Sequence, residues 1–500
     1  MHRYISSLIL LLLSRNVLSW AVPSSSRVKR TPEYPSIKQN GKCILASNFI
    51  TTDFSIPSLK EPKYTSSTPV LDLQRRSSSE APAVSFSVQN LQLTLYCNLP
   101  NSLPQNPEFQ TARQTICNLV QQGLVNAARR LQRIVYFQHP VKVTMHFGST
   151  CLGIGGTDDV IAKCEWDKGL GAAAPSGMHE LSQSVASKLG LDSEYLYPNA
   201  VLRQYLPNDP MWDTSTDDIF ASFNSDAPWW FPSDDNRDGE GSGNGGSFGP
   251  PLTRTRTREF GKGVFSSPKP DLSVFDDGLL PSDKIYDFEQ TVLHEIMHGL
   301  GFVSSWWQSL QPGTFFPGGP VTYQTNGIQG VTFGKSNIFD RTMAHSGTGV
   351  MMRDYAAAMR EEAKLVSQDI VRASPNLTAS DLLTQWTNRF KTSNAFLLSQ
   401  NLYSSAAVIP MQLILWFQDR RGNPRYAILY TPRAFAGGSS VSHLDASVYG
   451  SSSEFLMRPF CTTGTGIDGF TPAHPKIGVL GEAVPGILRQ MGYITAITEE

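Results

Sequence analysis

Long apolar runs are nearly missing from this chain of 500 residues. Apart from the leucine-rich stretch 8–13, no run approaches the about 20 apolar residues that a membrane-spanning helix needs. Charge is also scarce, at 17 % against the usual quarter, and it nearly cancels: 42 Lys+Arg against 43 Asp+Glu leaves −1. That balance gives no reason to expect nucleic acid or an anionic membrane as a partner. There is no internal repeat, and the end, Glu499-Glu500, carries no lipid-anchor pattern. What is present is core material: 40 % hydrophobic residues, with 26 Phe and 9 Trp, which excludes a disordered, collagenous or coiled-coil chain.

The beginning of the chain biases the charge count. His2 and Arg3 precede the short apolar run, and small residues follow at Ser19 and Ala21, the order of a secretory signal peptide over 1–21. A short basic pro-segment, 22–30, ends in Arg27-Val28-Lys29-Arg30, which resembles a proprotein-convertase site; the alternative is a solvated linker. Cleavage after Arg30 lowers the basic count from 42 to 37 against 43 acidic residues, so −1 becomes −6. Residues 31–82 are rich in Pro, Ser and Thr and read as an arm or propeptide. A secreted, extracellular glycoprotein follows as the expectation, with the sequon at Asn376 exposed. The six cysteines, Cys43, Cys97, Cys117, Cys151, Cys164 and Cys461, allow up to three disulfides in an oxidising compartment.

Between 83 and 493 the pattern alternates between strand and helix. Val84, Phe86 and Val88, then Leu91, Leu93 and Leu95, have period two; Ile116, Leu119, Val120, Ala127, Leu131 and Ile134 recur at helical spacing over 109–135. Residues 141–147 read as a strand with His146 beside Lys142 and Thr144, a structural or surface position. The strand 218–224 is either an edge on which an extended peptide pairs or an ordinary core strand. The acidic, Gly-rich 234–246 begins like a calcium loop but has Gly245 where that loop needs Glu, so a solvated loop is favoured. A helix over 355–366 and a hairpin, 411–417 with 426–430, complete the reading.

The chemistry concentrates at Thr291-Val292-Leu293-His294-Glu295-Ile296-Met297-His298-Gly299-Leu300-Gly301-Phe302. On a helix His294 and His298 share one face and can hold one Zn²⁺, while Glu295 can reach a water on the metal; Val292, Ile296 and Leu300 face a core. His179-Glu180 is an internal control: Gln183 stands where the second histidine would be, so it is not a metal pair. Catalytic zinc usually takes three protein ligands. Gly301 suits a left-handed exit from the helix, the first half of the metzincin signature, but Ser304 stands where that signature has its third histidine.

Downstream, His443 opens Ser442-His443-Leu444-Asp445, and Phe455-Leu456-Met457-Arg458-Pro459 follows. This order resembles the leishmanolysin-like metzincins, whose third histidine is displaced by a long insertion. His-Gly-Leu-Gly-Phe, Ile338-Phe339-Asp340-Arg341 and the stretch 441–459 are also similar to secreted bacterial proteins of metalloprotease type. The resemblance implies an α+β fold: a metzincin-like catalytic domain over 83–493 with a mixed twisted sheet, an active-site helix and a helical and hairpin insertion at about 350–435. It implies His294, His298 and His443 as Zn²⁺ ligands, Glu295 as general base and Met457 as the turn methionine. Asp445, Glu361 and Glu362 stay open as rival third ligands, while His345 and His474 read as loop histidines. The expected activity is that of a secreted zinc endopeptidase acting on protein or peptide substrates, with Cys43 as a zymogen element only if it is not in a disulfide. The rival is a secreted non-catalytic binding protein with a structural metal. Structural zinc usually fills four positions from protein, often with Cys, and no Cys lies near the helix in sequence.

Overall fold

The alternation of Leu91, Leu93 and Leu95 becomes a strand with one face buried. Val84–Val88 (β1) turns through Gln89, at φ 47, into Leu91–Asn98 (β2), and the two pair antiparallel. A long helix, Pro107–Gln132 (α1), leads to Val141–Gly148 (β3), which lies parallel to β2 in a β–α–β unit. Ile116, Val120, Leu124, Ala127 and Leu131 of α1 are buried at helical spacing, and a disulfide between Cys97 and Cys117 ties α1 to β2. Gly171–Pro175 (β4) and Ile219–Asn224 (β5) complete a mixed five-stranded sheet in the order β1-β2-β3-β5-β4. The strand read at 218–224 is therefore interior: β5 is parallel to β3 and antiparallel to β4, and cannot offer an edge to a peptide. Asp218 reinforces the placement by accepting Lys142 N–H at 2.8 Å and Arg203 Nε–H at 2.7 Å.

In this computed structural model the described residues are 83–99, 107–149, 169–209, 212, 217–231, 286–325, 328–463, 466–467 and 480–496, all within the compact unit Lys42–Glu500. Outside them lie the proposed signal peptide 1–21, the basic segment 22–30, the arm 31–82, Cys43, Cys151, Cys164, the acidic loop 234–246 and His474.

Phe288–Gly299 (α2) packs against the sheet and α1 and is buried all round. After it come a hairpin, Pro320–Thr325 (β6) and Ile328–Phe333 (β7), a 3₁₀ turn Ile338–Thr342 and the short strand Met343–His345 (β8). Three helices follow: Met352–Ala373 (α3), Ala379–Phe390 (α4) and Asn394–Leu402 (α5). Thus the helix read at 355–366 extends at both ends. Leu413–Gln418 (β9) pairs with β8 and with Pro424–Ile428 (β10), shorter than the hairpin read from sequence, and Ala483–Met491 (α6) packs on β9. The fold is α+β, and its buried apolar residues form one contiguous cluster from Leu91 to Tyr493. Among the described residues no helix is long and apolar enough to cross a membrane, and Asn376 is exposed.

Candidate metal centre

α2 is held before its histidines are reached. The Asp287 carboxylate caps it by accepting Gln290 N–H at 3.1 Å, and its other oxygen accepts Ile467 N–H at 2.7 Å. Buried Glu289 accepts Arg130 Nε–H at 2.5 Å, joining α2 to α1. Phe288 meets the rings of Phe147, Phe223 and Trp229 edge-on. At the far end a Cβ on Gly299 would stand 2.2 Å from Ile219 Cγ2, so glycine there lets the helix reach β5. Gly301 takes φ +101, the left-handed exit read from the sequence, and turns the chain out.

This scaffold aims His294 and His298 at a point to which His443 returns from 145 residues later. The Nε2 atoms of His298 and His294 are 3.1 Å apart, those of His298 and His443 3.1 Å, and those of His443 and His294 3.3 Å. All three side chains are buried. Every Nδ1 faces a carbonyl oxygen: Leu456 at 2.6 Å for His294, Phe302 at 2.8 Å for His298 and Ser439 at 2.8 Å for His443. A carbonyl only accepts, so each Nδ1 carries the proton and each neutral Nε2 presents a lone pair. Three converging lone pairs repel and cannot hydrogen-bond one another without an extra proton. Burial opposes that proton: it drives His298 down to about 4, and holds His294 and His443 well below the ordinary histidine value, where the neighbouring imidazoles add to the effect. A cation at the centre resolves the conflict. Tetrahedral zinc at 2.0–2.1 Å from nitrogen separates its ligands by about 3.3 Å, close to the spacing here. The residues present therefore fit Zn²⁺.

Glu295 lies beside the cluster with its Oε1 buried and, among the described residues, without a hydrogen-bond partner. Burial pushes its carboxyl well above the carboxylate range and Cys461 adds to this, while the N–H of Ala173 on β4 pulls the other way. The turn expected around Met457 is a 3₁₀ segment, Phe455–Met457, fully buried. Its Leu456 carbonyl receives His294, and its Met457 carbonyl receives Leu444 N–H at 2.7 Å, next to His443.

The rival ligands are elsewhere. Asp445 caps the short helix Ala446–Tyr449, accepting Ser447 N–H at 2.8 Å. Glu361 and Glu362 sit on α3, outside the one group of three converging ligand side chains among the described residues, His294, His298 and His443. His345 bonds Thr348 Oγ1 at 2.9 Å, and His179 meets Asn199 and Trp212. His146 stacks on Tyr96 at 4.7 Å.

Several participants have no signature in the sequence. Cys461 comes within 3.7 Å of Thr291 Oγ1 although no cysteine is near α2 along the chain. The carbonyls of Leu456, Phe302 and Ser439 are backbone atoms, which any residue supplies. Ser304 was conspicuous only as the gap in the metzincin signature; its N–H donates to Ser442 Oγ at 3.1 Å, beside the histidine that closes the cluster.

Fold and site together define an α+β chain built around a buried three-histidine centre with an adjacent glutamate. The chain belongs to the SPBPB7E8-like family, whose model matches residues 74–240 and 338–500. The matched segments include His443 and Met457 and leave out the stretch holding His294, Glu295 and His298. A protein of Schizosaccharomyces pombe (strain 972 / ATCC 24843), described as "Uncharacterized protein PB7E8.01", is 22 % identical over 415 residues, 78 % of this chain and 62 % of its own length. The chain thus spans about three fifths of the length of that relative. No solved structure matches it.

Proposed function

We propose that this protein is a secreted zinc-dependent endopeptidase of metzincin type. The observation that carries the reading is the triangle of Nε2 lone pairs, 3.1 to 3.3 Å on a side, with every Nδ1 committed to a carbonyl. His294, His298 and His443 hold the metal, and three protein ligands leave a fourth position for water or substrate, as in catalytic rather than structural sites. Zinc, when bound, acidifies a water and polarises the scissile carbonyl. Beside a bound cation, whose charge would offset the burial that raises its carboxyl, Glu295 would take a proton from water on its carboxylate and return it to the leaving amine nitrogen.

A peptide can lie along β4. It is an outer strand of the sheet among the described residues, and Leu170 O and Ser176 N–H bond toward β5, which leaves the Gly171 and Ala173 backbone groups turned away from it. Ala173 N–H already reaches Glu295, so a substrate paired on this edge sits next to the base. The disulfide between Cys97 and Cys117 favours an oxidising compartment, in keeping with the signal-peptide order of 1–21.

Glu295→Gln tests the mechanism: kcat/KM on an unfolded protein substrate should fall by about 10²- to 10⁴-fold, with zinc content unchanged. Undiminished cleavage by this variant contradicts the assignment, and stoichiometric zinc without any cleavage by the wild type favours a non-catalytic binding protein.

A further inference from the structure

Asp340 is a buried carboxylate with an unusually complete set of donors. Its Oδ1 accepts Ser304 Oγ–H at 2.7 Å; its Oδ2 accepts Ser305 N–H at 2.9 Å and Ser305 Oγ–H at 2.6 Å. One residue before its 3₁₀ turn, Asn337 Nδ2–H donates to Val303 O at 3.1 Å. The segment 303–305, which leaves the zinc helix through Gly301, is thereby fixed to a turn 35 residues later in the chain. From there the contact passes onward: Ser304 N–H donates to Ser442 Oγ, and Ser442 is bonded to His443.

We propose that Asp340 is a positioning residue for His443, acting through Ser304 and Ser442. The inference rests on the zinc reading above. His294 and His298 are placed by one rigid helix, whereas His443 arrives on a separate segment and must be brought into register with them. Its ring is oriented by the Ser439 carbonyl and its backbone by Tyr430 N–H and by Leu444 N–H on Met457 O. These contacts tie His443 to its own neighbourhood and to the turn under His294. The Ser304 link ties it to the exit of α2, and Asp340 immobilises that exit. Second partners of this kind set metal affinity by holding the ligand in its binding orientation.

The experiment measures zinc dissociation constants on the full-length protein by competition with a chromophoric chelator, for the wild type, Asp340→Asn, Ser442→Ala, His443→Ala, and each of the first two combined with His443→Ala. Asp340→Asn and Ser442→Ala should each weaken zinc by about 10- to 100-fold and attenuate the visible absorption of the cobalt-substituted protein. In the His443→Ala background neither should add a further loss, because the ligand they position is gone. Wild-type affinity in both single variants overturns the proposal, and so does an equal loss with and without His443, which marks a structural role. If Asp340→Asn does not fold, Ser442→Ala and its combination with His443→Ala decide in the same way. A wild type that binds no zinc brings down the zinc reading itself.

Discussion

Three imidazoles share one arrangement, an Nδ1 proton given to a backbone carbonyl and an Nε2 lone pair turned inward, and this shared tautomer gives the cluster the donor set on which the proposed metal site rests. A second titratable residue matters at the same scale. Glu454, next to the Phe455–Met457 turn, accepts the N–H groups of Glu482 at 2.6 Å and Ala483 at 3.0 Å, and burial pushes its carboxyl up to about 7 against those bonds. The folded chain then keeps a proton that the unfolded chain has released, so this residue's contribution to stability falls as pH rises from 4.5 to about 7 and is level above. Melting curves should show the wild type losing ground to Glu454→Gln across that window; a constant difference between the two at every pH contradicts the assignment. His294, Glu295 and His298 were legible in the sequence because a spacing of four on a helix is a one-dimensional signal for a shared face. Their carbonyl partners were not, since a carbonyl carries no residue identity.

The elements place those residues by close approach. α2 lies so near β5 that a Cβ on Gly299 meets Ile219 Cγ2 at 2.2 Å. Gly299→Ala should cost about 1–3 kcal/mol by overpacking, read as a lower Tm. Combining it with Ile219→Ala, which removes the clashing methyl, should cost less than the sum of the two changes; strict additivity contradicts a direct contact. At this scale periodicity located α1 and the paired strands β1 and β2, because α1 and β2 each bury one apolar face and the half-buried Phe86 and Val88 of β1 pack against the same core. It did not give strand order. The residues of β5 read equally well as edge or interior, and only the pairing of β3 and β4 on its two sides makes it interior. The helix of 355–366 was read short because the buried stripe of Met352–Ala373 runs on from Ala363 through the polar Ser367 to Ile370, so the apolar pattern breaks in the sequence where the stripe continues in the fold.

Across the described residues one hydrophobic cluster connects the sheet, α2, the helices α3 to α5 and the closing helix α6. Phe333 of β7 packs edge-on against Trp386 and Phe390 of α4, which stack on each other, at 4.6 to 5.7 Å, and further along the chain returns to α2 at His443. That return was the least legible step: loop closure over 145 residues leaves no periodic trace, so Asp445, Glu361 and Glu362 stayed open beside the favoured His443, and among the described residues it is His443 that meets the pair. The central claim, a zinc-dependent endopeptidase, is tested most directly by stripping the processed protein with a chelator and titrating Zn²⁺ back while following cleavage of an unfolded protein substrate. Cleavage should vanish in the metal-free protein and return in proportion to bound zinc, reaching its plateau at a single ion per chain. Cleavage that survives complete removal of the metal, or a zinc-saturated wild type that cleaves nothing, contradicts the account.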